Sequence, residues 1–133
     1  MGYDMHFHDQ DNFDEPGYFC LNVSGMAWCY GEMTARKMIF DAGQHPPLPG
    51  WTGDEESYRK LSAPVLAWHG PEIPGIPEHK FGTNDGWLVT PAECEAAVRI
   101  GRQRSPPAQH ADIWADWLDY MDRARTHGGF EVH

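Results

Sequence analysis

Seven prolines between positions 43 and 80 (Pro46, Pro47, Pro49, Pro64, Pro71, Pro74 and Pro77) constrain this 133-residue chain more than any other feature. Each removes a backbone donor and holds φ at about −65°, so no long helix or central strand can run through the middle of the sequence. One short helix over 54–61 is compatible with Asp-Glu-Glu-Ser-Tyr-Arg-Lys-Leu, and 64–68 reads as a short strand or a further helical turn. A stretch of this length with so little regular structure is more often functional than decorative. Trp51 and Trp68 lie within it and need a surface to pack on. Residues 43–80 are therefore expected to form a rigid, proline-braced lid over the sheet or the helices.

Regular structure must come from the flanks. Tyr3-Asp4-Met5-His6-Phe7-His8 alternates, with Tyr3, Met5 and Phe7 on one face and Asp4, His6 and His8 on the other, which is the period of a half-buried strand. An acidic loop over 9–17 follows, then a second and more buried strand over 18–23. Ser24 is placed to cap a helix over 25–42, whose apolar residues cover more than one stripe and imply contacts on two sides.

Beyond the prolines, Asn84-Asp85-Gly86 is a strong turn signal, Trp87-Leu88-Val89 a short buried strand, and Thr90-Pro91-Ala92-Glu93 a helix opening with a capping box. Helices are expected over 91–102 and 109–127. The second carries an apolar stripe of Ile113, Trp114, Trp117, Leu118, Met121 and Ala124, with Gly128-Gly129 ending it. Residues 130–133 alternate like a last strand. The order β-β-α-(irregular)-β-α-α-β, with strands at both ends, predicts a small α+β two-layer sandwich. Its N- and C-terminal strands share one sheet, about three helices cover one face, and the long Pro-rich segment is an insertion in a single 1–133 domain.

The balance of 20 acidic against 10 basic residues, a net charge of −10, repels phosphate backbones and anionic lipid. Direct nucleic-acid and membrane binding are therefore not expected. Cys20, Cys29 and Cys94 match no Cys-x-x-Cys spacing and lie in apolar surroundings, which reads as inert thiols in a reduced, cytoplasmic setting without a signal peptide. No Gly-x-Ser-x-Gly elbow, glycine-rich phosphate loop or Walker pattern occurs. The catalytic set is therefore empty at this level.

Two constellations carry chemistry. His6 and His8 share the polar face of the first strand with Asp4, and Glu131 and His133 join them if the last strand pairs nearby; this donor set suits zinc or another transition metal. The bland alternative is the solvated face of an edge strand. His6-Phe7-His8-Asp9-Gln10-Asp11 has a superficial similarity to the His-x-His-x-Asp-His of metallo-hydrolases but lacks its final His, and the loop over 9–14 has Phe where a calcium loop needs oxygen. The second constellation is His79, Lys80, Asn84, Asp85 and Trp87 around the tight turn, able to grip a small polar or anionic ligand. Its bland alternative is a well-capped corner. Arg99, Arg102, Arg104, Arg123 and Arg125 near helix ends read as dipole compensation.

Over Tyr18-Phe19 with Leu21-Asn22, His79-Lys80-Phe81 with Asn84 through Pro91, and His127-Gly128-Gly129-Phe130 with Val132, the chain resembles small uncharacterised proteins of actinobacteria and their phages. The resemblance spans most of the length and implies context but no catalytic residues. Small phage-type proteins of this size often bind a host protein or sequester a small molecule. The expectation is thus a non-enzymatic binding protein for a small anionic or nucleotide-like molecule or a host protein, without a cofactor. The rivals are a metal-dependent enzyme using His6, His8 and a carboxylate, and an acidic module that blocks a basic surface. Six Trp in so small a chain also leave room for a homo-oligomer.

Overall fold

The structure, a computed structural model, describes residues 2–10 and 17–133. Most of the acidic loop, including positions 11–14 of the would-be calcium loop, lies outside the described residues. Strands β1 (Gly2–Phe7), β2 (Tyr18–Asn22), β5 (Trp87–Val89) and β6 (Phe130–Val132) form one antiparallel sheet in the order β2-β1-β6-β5. The first and last strands are thus its two central strands, paired so that Met5 faces Val132, His6 faces Glu131 and Phe7 faces Phe130. Helices α1 (Val23–Ala35), α3 (Pro91–Gly101) and α4 (Ala111–Ala124) cover one face, as the α+β reading expects.

Alternation decides which side chains enter that layer. Met5, Phe7, Phe130, Val132 and Val89 point into a core with Trp117, Tyr120 and Met121, nearly all of them fully out of water. Burying each such side chain stabilises the fold by roughly 1.5–3 kcal/mol. Tyr120 stacks on Phe7 at 5.2 Å, and its hydroxyl donates to the Gly17 carbonyl at 2.9 Å, so α4 holds both ends of the connection between β1 and β2. The Thr90–Glu93 capping box at the start of α3 forms as the sequence implies.

Several local expectations change. The first helix is capped by Asn22, whose side chain accepts from Gly25 at 2.6 Å, because β2 runs directly into it; Ser24 instead donates to Asn22. It stops at Ala35, where Lys37 turns left-handed at φ 62°, rather than continuing to 42. Ile39 is buried through a different element, the strand β3 (Ile39–Phe40) beside β4 (Ile76–Pro77) in a small parallel pair, and Met38 is buried just before it. Of the residues that widened the apparent helical stripe, Met38, Ile39 and Phe40 lie beyond α1, whereas Trp28 and Tyr30 are on it and pack against the core. Gly75 makes the pairing possible, since a Cβ there would lie 2.3 Å from the Met38 carbonyl oxygen.

The second strand is an edge, not a buried element, and Cys20 is exposed on the polar side opposite Asp4; only Cys29 and Cys94 are core thiols. A continuous apolar run carries no alternation to reveal this. Helix α2 (Glu55–Leu66) is longer than expected and runs through Pro64, in its last turn. No helix among the described residues is long and apolar enough to cross a membrane.

Candidate metal centre

The same alternation that sends Met5, Phe7, Phe130 and Val132 into the core turns His6, Glu131 and His133 to the opposite face. His6 and Glu131 sit directly across the β1–β6 pair, and His133 is two residues further along on the same side. His6 Nε2 lies 3.2 Å from His133 Nε2 and 3.7 Å from Glu131 Oε1, and His133 Nε2 lies 3.3 Å from the same oxygen. A tetrahedral ion bound at roughly 2.0–2.1 Å holds its ligands roughly 3.3–3.4 Å apart. Two sides of the triangle come within about 0.1 Å of that spacing, and the third, His6 Nε2 to Glu131 Oε1 at 3.7 Å, is a little longer.

The surrounding groups prepare the donors. A carbonyl oxygen only accepts, so the 3.0 Å contact of His6 Nδ1 with the Phe7 oxygen requires a proton on Nδ1. In the neutral ring this leaves the Nε2 lone pair directed at the triangle, the arrangement found behind metal-ligating histidines. The His6 and His133 rings stack at 5.1 Å and 15°. His8 does not join the triangle; its Nδ1 contacts the other Glu131 oxygen, Oε2, at 3.0 Å and orients the carboxylate from behind. Burial by itself raises the Glu131 carboxyl, but hydrogen bonds with His133 and His8 and the nearby charges of His6 and His133 outweigh it and hold the group below its ordinary range. Beside them on the same face, in register with His6, the Tyr18 hydroxyl donates to Asp4 Oδ1 at 2.6 Å. That bond, with a further one to Cys20, pushes the phenol above its usual range.

The triangle forms part of the floor of a cleft of about 1150 Å³ between this polar face and α2. Helix α2 contributes Tyr58, Arg59 and Ser62 to the opposite wall, and Asp85-Gly86 stands at the rim. Helix α2 of the proline-rich insertion thus lies over the polar face of the sheet, away from the other three helices, whereas Ile76 of β4, in the same insertion, joins the core beside α3. The helix is anchored there through Lys80, whose Nζ donates to the Ala67 carbonyl at the end of α2 and to the Leu88 carbonyl in β5.

The turn residues have separate fates. Lys80 is wholly buried, with its remaining donor on both oxygens of Glu93 at 2.8 and 3.0 Å, so it is a core ion pair and offers nothing to a ligand. Burial lowers Lys80 and raises Glu93 from their ordinary values, and the attraction between them opposes both shifts. The Trp87 ring is buried, and its indole N–H donates to Thr83 Oγ1 at 2.8 Å. The Asn84 amide donates to the Gly2 carbonyl at 3.2 Å. His79 stacks on His45 at 4.5 Å and meets Trp87 edge-on at 4.9 Å. Burial, then the charges of His45 and Lys80, bring the His79 pKa down to about 4. Of the five residues only Asp85 reaches the cleft. The others hold the corner together rather than converging on a ligand.

Glu131 and His133 were accessible from the alternation of the last strand, whereas nothing in the sequence marked Tyr58, Arg59 and Ser62 as a facing wall. Comparison with protein-family models, with curated proteins and with solved structures finds no match.

Proposed function

We propose that the chain is a metal-dependent enzyme acting on a small molecule, with a divalent transition ion held by His6 Nε2, Glu131 Oε1 and His133 Nε2. The triangle of two imidazole nitrogens and one carboxylate oxygen at the floor of the cleft carries this reading. Neutral imidazoles with a carboxylate suit Zn²⁺ or Fe²⁺ and their neighbours, whereas a soft-metal site would need thiolates. All three donors project from the polar face of the sheet and line the cleft, so an ion they held would be open to a molecule in it. Three protein ligands with an open position are the pattern of catalytic rather than structural centres. When bound, such an ion supplies Lewis acidity to an oxygen of the substrate. The protein's own part is to keep His6 in one tautomer, hold Glu131 through His8, and enclose the substrate beneath α2.

Elemental analysis of untagged protein, after loading with Zn²⁺ or Fe²⁺ and dialysis, tests the centre. About one equivalent of metal is expected, falling at least tenfold in His133→Ala and Glu131→Gln. A wild-type metal content near zero would sink the reading.

The cleft's size also suits a second reading, a binding protein that holds a small molecule without converting it. A thermal shift with ligands that is the same before and after metal removal would favour that alternative.

A further inference from the structure

Resting on the metal centre proposed above, we infer that the cleft takes a small monocarboxylate with an apolar body and a second oxygen function. The carboxylate pairs with Arg59 of α2, and the hydroxyl, carbonyl or ester oxygen reaches the ion. Arg59 is the one Lys or Arg among the described residues lining the cleft. Its partner is Glu55 on the same helix, at 2.9 Å, with both side chains 78% exposed. Such an exposed i,i+4 pair is weak, so a ligand carboxylate able to make a bidentate contact can replace Glu55.

Ala63, Leu66 and Leu88 add apolar surface to the same cleft. The cleft therefore offers one guanidinium, held by a weak pair, together with apolar surface and the metal-ligand triangle. Charge narrows the class further. Glu55 and Asp85 line the same space, and the chain carries a net charge of −10, so polyanions such as nucleotides are repelled. The ion and Arg59 together disfavour a cation. Neutral molecules and monoanions remain, and of these the monoanion is the one that makes use of Arg59.

The test uses 4-(hydroxymethyl)phenylacetate, whose carboxylate and hydroxyl stand at opposite ends of an apolar ring, as probe, and its neutral amide as control, in calorimetric titrations of untagged Zn²⁺-loaded protein whose metal content is measured on the same sample. The acid is expected to bind the loaded protein at least tenfold more tightly than the amide does. It should weaken at least tenfold in Arg59→Gln, an exposed substitution, with the metal content unchanged, and by a similar factor in the metal-free protein. A protein that holds no metal overturns the metal centre itself, and this inference with it. Metal-loaded protein that binds neither compound, binds both equally, or binds the acid equally well as Arg59→Gln overturns the carboxylate inference alone.

Discussion

Lys80 Nζ lies 2.8 Å from Glu93 Oε1 with both side chains entirely out of water, and the same oxygen accepts the Thr90 backbone N–H at 2.8 Å. One buried pair thus ties the corner after the insertion to the first turn of α3. It also links to α2 and β5, because Nζ donates to Ala67 and Leu88 as well. Removing one partner leaves an uncompensated charge in the core. Lys80→Met is therefore expected to lose about 3–5 kcal/mol in urea denaturation, whereas Lys80→Met combined with Glu93→Leu should lose distinctly less. Equal losses in the single and double variants would show that the pair is not a coupled unit.

Metal binding to the folded state alone must raise its stability. At a free Zn²⁺ concentration of about 100 times the dissociation constant the gain is about 2.7 kcal/mol. Calorimetric melting should show the transition moving upward with Zn²⁺ in the wild type and staying in place in His133→Ala. A rise of the same size in both would place the ion somewhere other than the His6, Glu131 and His133 triangle.

His79 supplies a pH dependence remote from that triangle. Its pKa falls from 6.5 to about 4 on folding, chiefly through burial. The unfolded chain therefore binds more protons between these values, so the contribution to stability is fully present above pH 6.5 and is lost as pH falls toward 4. Allowing for partial solvent screening, the loss is roughly 1–2 kcal/mol. His79→Phe, which keeps a ring against His45 and Trp87, should flatten the wild-type stability curve over this window in denaturant titrations at several pH values. An unchanged slope would assign the proton uptake elsewhere.

Gly129 closes the chain's last turn at φ 89°, and a Cβ on it would stand 2.0 Å from the Val89 carbonyl oxygen. Both the backbone conformation and the space demand glycine. Gly129→Ala should cost roughly 2–4 kcal/mol and weaken metal binding too, because Glu131 and His133 follow directly. Gly31→Ala, with nothing within 4 Å of the added methyl, is the matched control and should be neutral or slightly stabilising. Similar melting temperatures for the two variants would contradict this account.

The candidate site was legible to different depths. His6 was marked by alternation in β1, and Glu131 and His133 by alternation in β6, with their meeting conditional on strand pairing. His8 carried the same mark but ended one contact further out, on Glu131. Lys80 looked available because it stands in a turn-rich segment, and only its enclosure by Ala67, Leu88 and Glu93 shows that it is not. Cys20 was misread for a related reason: the run Tyr18-Phe19-Cys20-Leu21 is apolar on both sides, so nothing local says which side meets water.

By itself the sequence determined what is periodic and short-ranged: the faces of β1 and β6, the Thr90–Glu93 capping box, and the amphipathic α4. Those depend on backbone geometry and neighbours within a few residues. Tertiary structure alone decided that β1 and β6 are immediate neighbours in their shared sheet, in the register that brings His6 against Glu131, and that α2 lies over the polar face. Such pairings are selected by the summed burial of side chains distant along the chain, such as Phe7, Tyr120 and Phe130, and no local term in the sequence encodes that sum.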